Sequence, residues 1–441
     1  MSEASDNGID RWGLATCLLV AIVFRSLAVG LHADDLTRDR DAYLGIAQGV
    51  AGGQGLCSPG STAPTAFRPP LYPLLLGGLL VVIPAGVAVA VVNGLFGMTT
   101  VWATHRIGQR LSLGRTSLAA ALLVAVDPLL SRYSAQPMTE TVCTGLVALM
   151  LLAFVSDEWQ RSRREWGVGA LFGLLVLCRP TFWPLAGLMV VAWIVKRWRG
   201  SNVGKDNKSV RPVCQSGLPW RMAVGTLLVV APWLIRNQLI FGTPLLTTTH
   251  GGYTLLLANN RVFYDEVVDQ RWGTVWSGDS LARWQSELDE RLERDLGPRS
   301  SEIERDRRQS VIAREFIAAE PRRFARAVWH RVRSLWSTVP LGDATDGPPR
   351  WLIEAVGWYY SVTLLAFAVG MVLVARQPER GRWWMLYALV LTVQAVHLVY
   401  WTNARMRAPV TPVVALFAAA TLASRAKAAS SDSSTTGVGS G

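Results

Sequence analysis

Residues 71–84 read LYPLLLGGLLVVIP, an apolar run of 14 residues preceded by Pro69 and Pro70. Whether this run crosses a membrane decides the side on which every later loop lies. A hydrocarbon layer of ~30 Å takes ~20 helical residues, so the run is short for a span. Ten other apolar segments surround it, at 14–31, 86–104, 116–131, 138–156, 166–178, 181–195, 222–235, 352–375, 383–401 and 408–424. If 71–84 does not cross, the loops 105–115, 157–165, 196–221, 376–382 and the tail after 424 share one side and hold 18 Lys and Arg. The short loops 132–137, 179–180 and 402–407 then share the other side and hold 4. Basic loops stay in the cytoplasm, and a crossing at 71–84 would invert them all. The charges therefore select ten crossings, both termini cytoplasmic, and 71–84 as an external interfacial or re-entrant helix.

Composition agrees with an all-α polytopic membrane protein. Of 441 residues 50% are hydrophobic and only 17% charged, and mean hydropathy is +0.26. Apolar runs this long and numerous exclude a soluble enzyme, a disulfide scaffold and a disordered chain. The net charge of +12 would suggest nucleic acid in a soluble protein, but here the basic residues cluster beside apolar segments and report orientation. No nucleic-acid partner is expected. The cysteines Cys17, Cys57, Cys143, Cys178 and Cys214 are odd in number and scattered, which indicates neither a metal site nor a disulfide framework.

The first apolar run contains Arg25 and lacks a small-residue cleavage site, so it reads as a retained span. Arg179-Pro180 breaks 166–195 into two crossings, because proline disfavours helix in the residue before it. Two large regions face outside, 32–70 and the 115-residue stretch 236–350. In the latter, Leu281, Trp284, Leu288, Leu292 and Leu296 recur at helical spacing, a second helix covers 301–319, and Pro321 opens a third through Trp336. The third, basic on one side and aromatic on the other, suits a helix lying on a membrane or part of a soluble cap. The chain thus divides into an N-terminal transmembrane catalytic module (1–235), an external loop domain (236–350), C-terminal transmembrane helices (351–424) and a disordered tail (425–441).

The polar residues of the outer side carry the chemistry. Asp34, Asp35, Asp39 and Asp41 lie just beyond the first span, before a helix expected at 41–51. A carboxylate at that helix N-terminus can act as a general base or simply cap the helix. Glu140 sits at the outer start of a span, where it too can cap. Arg68, Arg179, Arg236, Arg405 and Arg407 project from outer segment ends against the positive-inside tendency. Their planar donor forks match phosphate oxygens, and their alternative role is snorkelling to headgroups. His397 could donate to the same anion or serve structure.

The run DRDAYLGIAQGVAGGQGL at 39–56, followed by FRPPLYPLLLGGLL, resembles the first external loop of membrane-embedded glycosyltransferases of superfamily C. The similarity is to the bacterial branch of protein O-mannosyltransferases and lipid A aminoarabinose transferases, the family-39-like type. It continues in DPLLSRYSAQPMTET, CRPTFWPL, APWLIRNQLIFGTPLLTTTHGGYTLLLANN, FIAAEPRRFARAVWHRVRSLW and ARMRAPVTPVVALFAAA, in the family's order. The resemblance implies a bacterial inner-membrane enzyme that takes a sugar from a polyprenyl-phosphate donor. The acceptor, a lipid, glycan or protein, meets it on the external side among membrane lipids. By position, four residues before Tyr43, Asp39 matches the catalytic aspartate and Glu140 the second acid. The residue after the aspartate, often Glu in the family, is Arg40 here, so Asp39 and Asp41 both stand as the base or as an acid pair. Arg68, Tyr72, Arg236, His397, Arg405 and Arg407 are the expected substrate-binding residues.

The branch is held to work without metal, and no cofactor or metal is expected. Displacement at the anomeric carbon needs a base for the acceptor and cations for the leaving phosphate, with inversion as the outcome. A transporter or flippase for lipid-linked sugars would also use outer arginines, but calls for charges buried mid-span. A non-catalytic subunit of a glycan-assembly system would tolerate loss of the first-loop acids.

Overall fold

A computed structural model describes residues 2–156, 161–200, 220–339 and 349–435. Each of the ten apolar segments contains helix, and among the described residues the sole β-pairing is an isolated bridge between Cys57 and Pro64. In chain order these helices are α1 (Ser2–Leu31), α4 (Ala85–Arg110), α5 (Thr116–Ala125), α7 (Glu140–Val155), α8 (Arg161–Cys178), α9 (Trp183–Gly200), α10 (Trp220–Phe241), α16 (Arg350–Ala375), α17 (Trp384–Val396) and α18 (Thr411–Thr435). Five stretches are long and apolar enough to cross a bilayer: Asp10–Leu31, Ala85–Arg110, Trp220–Phe241, Arg350–Ala375 and Ala404–Ser424. The run at 71–84 forms α3 (Leu71–Leu80), ten residues and so ~15 Å of helix. The chain is a polytopic helical membrane protein.

Exposed side chains say which helices face lipid. Leu19, Val23 and Leu27 of α1, Leu228 and Leu239 of α10, and Trp358, Val362 and Leu365 of α16 stand open, an apolar surface that only hydrocarbon covers favourably. α7 and the first part of α18 are buried on nearly all sides. Small residues allow this close packing. A Cβ at Gly370 of α16 would fall 1.8 Å from the Phe417 carbonyl of α18, so the two backbones touch there.

Three segments differ from their sequence outlines. The run 116–131 is broken, because Asp127 accepts from Leu130 N at 2.8 Å and, with Pro128 at the first position, starts a new helix α6 (Pro128–Tyr133). The run 383–401 leaves helix after Val396, and 404–410 forms a 3₁₀ stretch before α18. The helix of α18 reaches Thr435, inside the tail expected to be disordered; residues 436–441, like most of the loop 196–221, lie outside the described residues.

The 236–350 region, external by the charge reading above, has a core of its own. It comprises α11 (Gly251–Ala258), the single turn α12 (Arg261–Phe263), α13 (Asp279–Leu296), α14 (Glu302–Ala319) and α15 (Pro321–Leu335). Trp284, Leu288 and Leu292 of α13 pack inward with Leu255, Phe263, Tyr264, Trp276 and Ile312, as their spacing requires. Ser301 and Glu304 close a capping box on α14. Val399, Tyr400 and Trp401, just beyond α17, pack against this core and join it to the transmembrane body.

Arg331 of α15 fastens that joint. Its side chain is 1% exposed and donates to Leu398 O (2.5 Å), Ala258 O (2.7 Å) and Asn259 Oδ1 (2.6 Å). Removing the guanidinium takes the donor from two carbonyls in a buried site, at ~1–3 kcal/mol each, and leaves Asn259 Oδ1 with the Tyr264 hydroxyl alone. Arg331→Met is therefore expected to lower the unfolding midpoint in detergent by several degrees, while Arg322→Met, on the exposed face, leaves it unchanged. Equal midpoints in the two variants would remove this role from Arg331.

Candidate active site

The loop 32–70, the first external loop of the charge reading, is shaped by one carboxylate and one unusual residue. Asp39 accepts from Leu44 N (3.0 Å) and Gly45 N (2.7 Å), so both its oxygens cap α2 (Tyr43–Ala51). Ala42, at the helix N-cap, adopts φ 63°, a left-handed conformation that costs a residue with a Cβ on the order of 1 kcal/mol. The two carboxylates before it take different directions. Asp39 turns to the helix end and Asp41 turns into a cavity of about 950 Å³.

That cavity holds a chain of alternating charges drawn from distant parts of the sequence. Arg68 donates from Nε to Asp41 O (2.6 Å) and from Nη2 to Asp41 Oδ1 (3.2 Å). Asp41 Oδ2 lies 3.4 Å from Arg405 Nη1. Glu140 Oε1 accepts from Arg179 Nη2 at 2.7 Å and lies 3.1 Å from Arg405 Nε, an ion-pair distance without hydrogen-bond alignment. Arg179 Nε also donates to Thr139 Oγ1 (3.0 Å). Glu140 is 1% exposed, and its Oε2 has no partner among the described residues. Three arginines against two carboxylates give this chain a formal charge of +1, while the whole lining, with Arg40 and Arg305 against Asp289, Glu302 and Asp306, sums to zero. Burial pushes the Tyr43 phenol up to about 12 despite the nearby Arg68, so it stays protonated as a donor facing the cavity.

The remaining expected residues lie elsewhere. Tyr72 is fully buried and reaches Asn93 Oδ1 at 3.4 Å, with its ring edge-on to Tyr43. Arg236 donates to Thr65 O (2.9 Å) and Leu56 O (2.8 Å), pinning the first loop to α10. Arg407 donates to the Leu335 and Ser337 carbonyls and lies over the Tyr360 ring at 4.2 Å. None of these three lines the cavity: backbone carbonyls hold the two arginines, and Asn93 holds the Tyr72 hydroxyl. His397 does line it, with Nδ1 3.2 Å from both Trp401 O and Thr402 Oγ1. Among the described residues no group of three His, Cys, Asp or Glu could hold a metal ion.

The opposite wall comes from the external region, which the sequence reading did not single out. Glu302 of α14 accepts from Thr65 Oγ1 (2.8 Å) and Ala66 N (2.7 Å), binding that region to the first loop. Asp306 accepts from Gly252 N at 2.6 Å, and burial raises its pKa. His250 and Tyr253 stack at 5.1 Å, and Phe67 meets His250 edge-on at 4.3 Å. The only hint in the sequence is the histidine within TTTHGGYT, next to an aromatic three residues on.

Comparisons with known proteins follow this geometry. Residues 68–235 match the sequence family described as dolichyl-phosphate-mannose-protein mannosyltransferase. No curated protein matches the chain. Among solved structures, the archaeal oligosaccharyltransferase AglB from Archaeoglobus fulgidus, in complex with an inhibitory peptide and a dolichol-phosphate, superposes with a TM-score of 0.52 at 13% identity. It covers 98% of this chain and 52% of its own. The apo Archaeoglobus fulgidus oligosaccharyltransferase gives 0.51 at 14% identity, covering 93% and 50%. ArnT from Cupriavidus metallidurans, bound to undecaprenyl phosphate, gives 0.42 at 14% identity, covering 93% and 78%. The chain spans about half the length of the two archaeal proteins. Residues 68–235 are thus similar to that family, and the fold of the chain is similar to that of the archaeal oligosaccharyltransferase.

Proposed function

We propose that the protein transfers a sugar from a polyprenyl-phosphate donor to an acceptor on the external side of a bacterial inner membrane, with inversion at the anomeric carbon. The observation that carries this reading is the Arg68–Asp41–Arg405–Glu140–Arg179 chain. Within that chain, at the ends of apolar helices, three guanidinium groups face two carboxylates, an excess of one positive charge. A phosphate would balance it, and arginine forks suit phosphate oxygens. The dolichol-phosphate held by the archaeal oligosaccharyltransferase of like fold supports the same ligand class.

In this mechanism the donor phosphate competes with Asp41 for Arg68 and Arg405 and frees the carboxylate. An acceptor hydroxyl gives its proton to Asp41 as its oxygen attacks the anomeric carbon. The bond from that carbon to the phosphate oxygen breaks, and its electrons pass to a phosphate that Arg68, Arg179 and Arg405 stabilise. Asp41 takes the base role in preference to Asp39 because Asp39 spends both oxygens on the α2 cap. Glu140 positions Arg179 and Arg405. Ten crossings with cytoplasmic termini put this site outside.

The class is tested with purified protein in lipid and a panel of polyprenyl-phosphate sugars. Release of polyprenyl phosphate only when an acceptor is added is the expected result, and release independent of acceptor overturns transfer. In that assay Asp41→Asn is expected to lose ~10²–10⁴-fold in rate. Asp39→Asn, which can still cap α2, should fall far less. The reverse order would return the base to Asp39.

Arg405→Ala should weaken donor binding and transfer together, and Arg405→Lys should recover only part because the fork is lost. Undiminished donor affinity in Arg405→Ala would remove the phosphate from this cluster. For sidedness, a cysteine at Ser61 should label from outside on a cysteine-free background, and one at Ser112 should not. Reversed labelling sinks the topology.

A further inference from the structure

We propose that His250, Tyr253 and Phe67 form the subsite for the sugar ring of the donor. This rests on the transfer reading above and adds to it the place that recognises the sugar itself. The sugar is joined directly to the donor phosphate, so its subsite must adjoin the arginines. Phe67 meets that requirement: the Arg68 guanidinium carbon lies 4.7 Å from its ring centroid, and the ring meets His250 edge-on at 4.3 Å. His250 stacks on Tyr253 at 5.1 Å and 26° between planes. Gln285 of α13 holds the Tyr253 hydroxyl at 2.7 Å, fixing the wall from the external region. All three aromatic residues line the cavity.

Aromatic faces carry negative partial charge and attract the polarised C–H groups of a pyranose face. The imidazole adds hydrogen bonding. His250 Nδ1 is sealed from solvent and has no partner among the described residues, a state that costs ~1–3 kcal/mol unless something completes it. Burial, and then the charge of Arg68, holds the His250 pKa well below 6.5. A neutral imidazole serves a sugar hydroxyl as donor or acceptor without repelling the arginines beside it. Satisfied core histidines make bonds to the protein, as His397 does with Trp401 O and Thr402 Oγ1. The bare Nδ1 of His250 sets it apart.

The test compares binding of bare polyprenyl phosphate with its mannose, glucose and galactose esters, using the full chain in lipid nanodiscs. At least one ester is expected to bind about tenfold tighter than the bare phosphate. His250→Phe keeps the ring contacts but removes both nitrogens, and should abolish most of that sugar-dependent gain. Tyr253→Ala should do the same, while both variants hold bare polyprenyl phosphate as the native protein does. His250→Gln, which restores a hydrogen-bonding group, should regain part of the difference. The subsite is overturned if no ester binds tighter than the bare phosphate. It is equally overturned if the gain survives both substitutions, or if affinity for the bare phosphate falls in parallel. Failure of the native protein to bind bare polyprenyl phosphate would instead sink the transfer reading itself.

Discussion

A buried carboxylate between two guanidinium groups is the constraint on which the site depends. Glu140 is 1% exposed, and it can stay charged there only with cations at hand. Arg179 and Arg405 supply them through a single oxygen, Oε1. The three residues come from the start of α7, the turn after α8 and the 3₁₀ stretch before α18, so one acid fixes the relative placement of three segments. Removing Arg179 would leave Glu140 with only the poorly aligned Arg405, a larger effect in a dry setting than losing a surface pair. The other Glu140 oxygen, left bare, marks where the cluster has capacity to spare.

The first external loop adds the second acid, and its placement is strained by design of the chain. Ala42 takes a left-handed conformation that glycine would take without cost. What holds it is local: the Asp39 cap on one side, and on the other Arg68 Nε drawing in the Asp41 carbonyl at 2.6 Å. Arg236 and Glu302 then clamp the far end of the loop at Leu56, Thr65 and Ala66, from α10 and α14 respectively. The loop is thereby held from the membrane body and the external region together.

Much of this was legible in the sequence, because apolar length and loop charge are properties of local composition. The ten apolar segments, the three helices of the 236–350 region and the arginines at segment ends could all be read there. The break at Asp127-Pro128 carries a clear local signal, an N-cap followed by proline, yet the apolar run masks it. Which arginine faces the cavity could not be read. Arg68 and Arg405 point inward whereas Arg236 and Arg407 pin carbonyls, and that choice is made by backbone 70 to 180 residues away. The pair Asp39 and Asp41 shows the same limit on a smaller scale. Their spacing permits either to cap, and the backbone path from 39 to 42 decides between them. His250 and Tyr253 lay beyond reach because their partners, Phe67 and Gln285, come from other segments.

The two walls of the cavity are not independent, and the path between them is covalent and short. Arg331 and Asn259 Nδ2 hold the carbonyls of Leu398 and Val399, and Trp401 N donates to Thr254 O of α11 at 3.4 Å. Two residues later Asn403 Oδ1 caps the 3₁₀ stretch through Arg405 N at 3.1 Å. The helix that begins after His250 is therefore bonded to the strand of chain that delivers Arg405. A shift of α11 large enough to move the aromatic wall must either break these bonds or carry residues 398–405 with it. Packed, hydrogen-bonded segments move as units rather than bending smoothly. The frame therefore ties the spacing between the aromatic wall and the arginines to the packing of the external region on the membrane body.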